Sequence, residues 1–552
     1  MNLRGPATVS LVLVGSVVSR PAAGGGFFIP GQGPISTARG GAAVASAQDG
    51  EAISLNPAGI ANTTGTVVQI GVVGLDYSMS FTRAGTYEPV TGESLPYADQ
   101  PYPTVTNMAK PQFGIGSHQP LPVIAVVSDL GNRIDGLRAG FAIFPPQSYP
   151  FRNMNTVNGK PYYTVGANGR YGFPSFGDAP PPSRYDAIYQ DAEVVLPSLA
   201  VAYRALPNLD FGARVSSGIA SLKAAAALWG QTNYDEWAKA DGLLTVDTKD
   251  NFVFTYGFGA LYRPTSAIEV GANFSGPIHI NAQGDAYAAT GPEVKVGTAE
   301  VAVGPVGDNE ARCAKGGTAS KLKACIDLEL PISVQVGGRY KFSDRAGNFR
   351  GDIELNLGWE HWGAKCDYIK DPHCLNPSDF HLLVDGRASL VSNPEAGVTL
   401  SEVILPHGLR DTYAARLGGS YVVPVAGDAV VIRGGLGYDT AAAKQGWERV
   451  DLDGAARTTL AAGASYKLAT WSIDAGFGVI LEGTRTANRN CNPTTGQAGC
   501  NGTGTDAPVE NRQGPDPVNP TLIPIRQVEN PVNQGTMSSH YLMWMIGASH
   551  RF

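Results

Sequence analysis

The sequence predicts an all-β fold, a transmembrane antiparallel β-barrel of about 14 strands with an N-terminal hatch, or plug, inside its lumen. Three observations point there. Apolar and polar residues alternate with period two in segment after segment. The connections between these segments are alternately short and long. No stretch beyond the N-terminus is long and apolar enough to be a spanning helix.

The chain opens with MNLRGPATVSLVLVGSVVSRPAAGGGFF, in which Arg4 precedes an apolar run from Ala7 to Ser19 and small residues follow at Ala22, Ala23 and Gly24. That run is shorter than the roughly 20 residues that cross a bilayer as a helix, so residues 1–23 read as a secretory signal cleaved after Ala23. From Gly24 to Ala61 there is no alternation, and Gly, Ala and Ser abound. This is the expected hatch, residues 24–61, placed ahead of the first strand at the periplasmic rim, from which it can fold into the lumen. Residues 62–552 are expected to form the barrel and its long extracellular loops.

Alternation is clearest in LELPISVQVGGRYKF, which sets Ile332, Val334, Val336, Tyr340 and Phe342 against Ser333, Gln335, Gly337, Arg339 and Lys341. DIELNLGWEHW does the same, with Ile353, Leu355, Leu357 and Trp359 opposite Asp352, Glu354, Asn356 and Glu360. LDFGARVS, IEVGANFS, TLAAGASYKL and WSIDAGFGV repeat the pattern. Strands are expected near 66–83, 112–129, 136–145, 190–204, 208–221, 250–263, 266–277, 328–342, 348–362, 411–424, 428–439, 456–468, 470–481 and 538–552. Short connections such as SDLGNRID, RPTSA and SDRAGN alternate with connections of roughly 15 to 55 residues, the rhythm of an outer-membrane barrel. About eight strands already enclose an interior that side chains fill, and diameter grows with strand number; an inward apolar face would leave an apolar hole, so that face meets lipid. Closure then pairs every backbone group, as hydrocarbon requires.

The end of the chain, YLMWMIGASHRF, carries Trp544, Ile546, Ala548, His550 and Phe552 on one face. The terminal Phe552, with Gly547 before it and His550 in place of an expected Tyr, resembles the signal read by barrel-assembly machinery. Six cysteines fall into local pairs, Cys313 with Cys325, Cys366 with Cys374 and Cys491 with Cys500, all in long connections, which suits disulfide clips in an oxidising compartment. A metal site at Cys366, His373 and Cys374 would lack a second ligand pair, so neither metal nor cofactor is expected. With 16% charged residues, a net charge of −7 and a pI near 5.7, the chain has no basic field for nucleic acid. Its 69 glycines follow no collagen-like period, and no linker divides it into smaller domains.

At Gly26-Phe27 and ARGGAAVASAQDGEAISLNPAG, with its Asn56-Pro57-Ala58-Gly59, the sequence resembles the long-chain fatty acid transporter family of outer membranes (FadL-like, including aromatic-hydrocarbon uptake relatives). LPSLAVAYRA, GFGALYRPTSAIEVGANFSGPIHI, LPISVQVGGRYKF, WEHWG, LRDTYAARLGGSYVV, IRGGLGYD and the final HRF extend the resemblance over nearly the whole mature chain. It implies a hatch-closed barrel, a hydrophobic groove among the outer loops, an internal pocket, and a hatch rearrangement that frees an apolar ligand sideways through the wall. Phe27, Phe28 and Arg39 would approach the ligand, and Asn56, Pro57, Ala58 and Gly59 would seat the hatch. Pro145-Pro146, which donate no ladder hydrogen bond, mark either a wall opening or a strand end.

The barrel pattern and the terminal Phe552 point to the bacterial outer membrane, its lipid and the barrel-assembly machinery; the resemblance implies a long-chain fatty acid or other hydrophobic small molecule as ligand, and a monomer is expected. A general porin for small polar solutes is the alternative, encouraged by the inward polar residues Arg214, Asn273, Arg339, Asp352, Glu354 and Asp474, but it leaves the plug without a role. An outer-membrane lipid hydrolase is a second alternative; the sequence has no nucleophile-elbow pattern and no fixed acid-base spacing, and an enzyme is not expected. A non-reducing peptide map should show three disulfides, each within one loop; a bridge between loops would refute the loop assignment.

Overall fold

The computed structural model describes residues 28–552 apart from 88, 109–118, 145–150, 175, 229–236, 297, 314–316, 319–320, 364–377, 401–402, 406, 408, 444–447, 453 and 488–534. Fourteen antiparallel strands form the wall. They are β1 (Thr66–Arg83), β2 (Gln119–Ser128), β3 (Leu137–Ile143), β4 (Ser198–Leu206) and β5 (Leu209–Leu228). The wall continues with β6 (Gly242–Tyr262), β7 (Ile268–Ser275), β8 (Ser333–Ser343), β9 (Phe349–Glu360) and β10 (Thr412–Val425). It ends with β11 (Asp428–Asp439), β12 (Arg457–Lys467), β13 (Trp471–Ala487) and β14 (Gly535–Arg551). Each strand pairs with the next, and β14 pairs back onto β1 from Arg551 opposite Val67 to Gly535 opposite Arg83, which closes the barrel.

Side chains sort by face as period two requires. Ile70, Leu199, Phe258, Leu357, Ile432 and Ile546 are exposed on the outside, while Asp210, Arg214, Asp352, Glu354 and Asp474 are buried within. In water this would be inside-out; in lipid the apolar belt is solvated and the charges are hidden.

Three expectations need correction. Residues 190–204 and 328–342 are not single strands: Leu196-Pro197 separates Tyr189–Val195 from β4, and Pro331 with Ile332 separates Leu322–Leu330 from β8. Proline supplies no ladder donor, so the pairing breaks there. The long connections also contain sheet, because Ile278–Thr290 pairs with Leu322–Leu330, which pairs with Phe380–Leu390. This raised continuation of the wall went unread because stretches such as INAQGDAYAAT mix small and polar residues with little alternation. Finally, Cys325 lies in a strand rather than a loop, although its bond to Cys313 is present.

The N-terminal segment fills the lumen. It holds α1 (Pro34–Ala38), α2 (Asp49–Leu55) and a 3-10 turn (Pro57–Asn62), and none of the described helices is long and apolar enough to cross a membrane. α1 lies against β11 to β14, α2 against β1 to β4, and the 3-10 turn against β3 to β6. Contact around so much of the inner face is possible only from inside the barrel. The Glu51 carboxylate joins the helices by accepting hydrogen bonds from Ile35 N (3.0 Å) and Ser36 N (2.8 Å) at the start of α1. Arg39 ties the segment to β9 through Asp352 (2.8 Å) and Glu354 (3.2 Å), and its Nε donates to Ala42 O (2.8 Å).

Asn56 fixes the turn. Its Nδ2 donates to Val44 O (2.8 Å) and to Ala260 O of β6 (3.1 Å), and its Oδ1 accepts from Ala58 N (3.1 Å), which caps the 3-10 turn with Pro57 at the first position. The wall makes room with glycines. A Cβ on Gly259 would overlap Asn56 Oδ1 and Pro57, one on Gly212 would overlap the Pro57–Ala58 peptide, and one on Gly418 would lie 2.6 Å from Arg39 O. Part of the glycine excess is therefore space for backbone packed on backbone.

Gly259→Val should leave a heat-modifiable, folded barrel but displace the Asn56 turn. Limited proteolysis should then cut within residues 28–63 at least tenfold faster, on the order of a loss of 1–3 kcal/mol in local closure for overpacking of this kind; unchanged protection would contradict the close approach.

Candidate functional site

An apolar cavity of about 140 Å³ lies above the N-terminal segment, enclosed by β4 to β8 and their raised continuations. Phe28, Trp362, Phe380 and Leu452 line it, and the Phe28 and Trp362 rings stand 5.8 Å apart. Val194, Ile278, Ile280, Leu328 and Leu330 are among the rest of the apolar lining, which exists because the strands broken at Pro197 and Pro331 resume above the barrel and carry inward aliphatic side chains with them.

One end of the cavity is polar. Arg214 of β5 points into it, with Ser198, Ser216, Thr255 and Ser275 beside it. The guanidinium donates to Ser54 O at the end of α2 (2.6 Å), to Ile53 O (3.4 Å) and to Ser275 Oγ (3.0 Å). Its Nε is buried without a hydrogen-bond partner. Among the described residues no carboxylate pairs with Arg214, whereas Arg39, Arg339, Arg416 and Arg457, which also point inward, each meet one. A buried guanidinium with one donor unused and no carboxylate partner among the described residues is able to pair with an anion.

The outer roof is a buried ion cluster. His407 Nε2 and Asp451 Oδ2 lie 3.0 Å apart, Arg449 Nε donates to Asp451 (3.0 Å), and Arg152 Nε donates to Val450 O (2.9 Å). Burial works to raise the Asp451 carboxyl, but Arg449 and His407 outweigh it and hold the group below the usual carboxylate range. For Asp186, burial outweighs Arg449 and pushes the group up to about 6. The cluster clamps together the segments around residues 186, 407 and 451, which are distant in sequence.

Below the N-terminal segment the lumen changes character. A basin of about 810 Å³ opens toward the short turns and is lined by Arg39, Glu51, Arg339, Asp352, Arg433 and Asp474 among others. Gln32 and Ser54 of the segment face the apolar cavity, while Arg39, Ala43 and Glu51 face the polar basin, so the segment partitions one from the other.

The structure places the sequence-derived candidates as follows. Phe28 lines the apolar cavity. Arg39 borders the polar basin and is occupied by Asp352 and Glu354. Asn56, Pro57, Ala58 and Gly59 are buried against β5 and β6 and bracket the turn described above. In β14, Gly547 packs near Ile70 O and Pro34, the His550 ring lies tilted against Trp471 (4.3 Å) and edge-on to Phe552 (4.3 Å), and Phe552 is exposed at the rim. Phe27, Pro145, Pro146, Cys366, Cys374, Cys491 and Cys500 lie outside the described residues. Arg214 was legible in the sequence only as an inward polar residue; its missing counter-ion is a fact of three dimensions.

Three solved structures are similar in fold. A Pseudomonas aeruginosa FadL homologue aligns with a TM-score of 0.62 at 16% identity, covering 96% of this chain and 100% of its own. The Ralstonia pickettii toluene transporter TbuX aligns at 0.53 and 15% identity, covering 95% and 99%, and the P. putida toluene transporter TodX at 0.53 and 14%, also covering 95% and 99%. No curated protein matches the sequence. The family model described as outer membrane protein transport protein (OMPP1/FadL/TodX) matches residues 15–509. The closed barrel, its lumen-filling N-terminus and this match agree: the chain belongs to the OMPP1/FadL/TodX family of bacterial outer-membrane transport proteins.

Proposed function

We propose that this transporter takes up long-chain fatty acids, binding them in the apolar cavity with the carboxylate on Arg214, and that the N-terminal segment acts as a hatch whose rearrangement precedes sideways release. The observation that carries the reading is the Arg214 guanidinium, buried at the polar end of an apolar cavity with Nε unused and no carboxylate partner among the described residues. The acyl chain would lie along Val194, Ile278 and Leu328 toward Phe28 and Trp362, gaining roughly 0.8 kcal/mol for each buried methylene without any covalent step.

The polar basin argues against an axial exit. Each methylene moved from the cavity into that basin forfeits the same roughly 0.8 kcal/mol, whereas a step through the wall keeps the chain in hydrocarbon. A second reading, neutral aromatic hydrocarbons, is favoured by size: a cavity of about 140 Å³ resembles the roughly 150 Å³ apolar cavities that admit benzene, and two relatives of similar fold are described as toluene transporters.

Arg214→Leu separates the two. Losing a charged hydrogen-bond donor should weaken fatty acid binding by about tenfold or more, some 1.5–3 kcal/mol, and leave toluene binding within about twofold; equal effects on both ligands, measured by equilibrium binding to the purified protein, would favour the hydrocarbon reading. Deleting Gly24 to Ala61 should leave a folded barrel with raised single-channel conductance; an unchanged pore would count against the hatch.

A further inference from the structure

A second cavity, of about 80 Å³, adjoins the first on its outer side. Leu222, Ile326 and Phe380 line both, so the two meet there. The second lies directly under the roof cluster, since Asp186 and Asp451 belong to its wall. Its space comes from the run Ala224-Ala225-Ala226 of β5, whose small side chains leave the chamber open. Leu244, Val246 and Leu382 keep the rest of the wall mostly apolar.

Strand register sets one carboxamide into this wall. Along Tyr189–Val195 every second residue shares a face: Val194 is opposite Ala220, Ala192 opposite Leu222 and Gln190 opposite Ala224. The first two pairs line the first cavity, and Gln190 with Ala224 lines the second. Gln190 is only 6% exposed, and its Nε2 meets no acceptor among the described residues. The other polar groups of the wall are engaged. Asp186 pairs with Arg449 and accepts from Val450 N, Asp451 accepts from Arg449 and lies against His407, and Tyr189 Oη donates to Asp191 (3.3 Å). Burying an amide is costly unless its hydrogen bonds are made, so an unused donor here calls for a partner. The chamber, at about 80 Å³ against the roughly 10–15 Å³ that one water needs, has room for more than a water.

The two ends of the joined space suit different groups. Arg214 matches a carboxylate. A carboxamide donates from its nitrogen and accepts at its oxygen, which fits a hydroxyl, a group that does both. A second carboxylate would instead meet the charges of Asp186 and Asp451, whose cationic partner Arg449 is already shared between them. Ala224, across from Gln190, stands ten residues beyond Arg214 on β5, roughly 30 Å of strand at about 3.3 Å per residue, a distance that only a long acyl chain approaches. We propose that the second cavity is a subsite for the far end of the acyl chain and that Gln190 reads a hydroxyl carried there, which makes hydroxylated long-chain fatty acids the preferred substrates. This rests on the uptake reading above and adds the class of acid, which that reading leaves open.

Gln190→Leu tests it, because leucine is close in size and the Nε2 donor has no partner among the described residues to lose. In equilibrium binding to the purified protein, the natural chain should hold radiolabelled ω-hydroxypalmitate about fivefold more tightly than palmitate. In Gln190→Leu the ratio of the two dissociation constants should move about tenfold or more toward palmitate, with the affinity for palmitate itself unchanged or tighter. Ala224→Leu, which fills the chamber, should weaken palmitate about fivefold and leave decanoate, too short to reach it, within about twofold. A natural protein with no preference for the hydroxy acid, a ratio unmoved by Gln190→Leu, or palmitate binding untouched by Ala224→Leu would each overturn the subsite. Absence of saturable palmitate binding by the natural protein would instead overturn the uptake reading on which the subsite rests.

Discussion

Hydrocarbon supplies no hydrogen-bond partner, and the structure follows from that constraint. Every wall strand must find a neighbour on each side, so β14 returns to β1 and the sheet has no free edge. With lipid outside, the apolar residues of each strand face outward and the charged residues face the lumen. A barrel of this width then has an interior too large for its own side chains, and the N-terminal segment occupies it.

That segment is held by two kinds of contact. Arg39, Glu51 and Asn56 supply directional bonds between helices, turn and wall, and wall glycines let bare backbone approach where any Cβ would intrude. The result is a partition with an apolar cavity on one face and a charged basin on the other. The contrast is chemical: the cavity rewards apolar surface, and the basin penalises it.

The barrel was legible because period two is a strong signal wherever one face is uniformly apolar. Ile353, Leu355, Leu357 and Trp359 announce β9 unaided, and the first strand has the predicted bounds, Thr66–Arg83. The raised strands were not legible, since Ile278–Thr290 and Leu322–Leu330 stand where the outer surface is no longer wholly apolar and the alternation weakens. Of the candidate site the sequence offered Phe28, which lines the cavity, and the Asn56-Pro57 turn. Asn56-Pro57 reads as a turn in any context, but that it caps its own turn while binding Ala260 O depends on Gly259 lying opposite, more than 200 residues later.

The sequence distance spanned by the lumen contacts has a consequence for the order of assembly. α2 rests on β1 to β4, the wall strands nearest to it in sequence, so this half of the segment closes the shorter loops. Arg39 must wait for Asp352, 313 residues on, and α1 must wait for β11 to β14. The segment is therefore anchored first at its C-terminal end and last at its N-terminal end, and the sheet curls around a tether already fixed at one side. Long-range contacts of this kind come late in folding because their loop entropy is the hardest to overcome. Seating of α1 against β14 thus coincides with closure onto β1, so the final zipper of the barrel and the sealing of its lumen become one event.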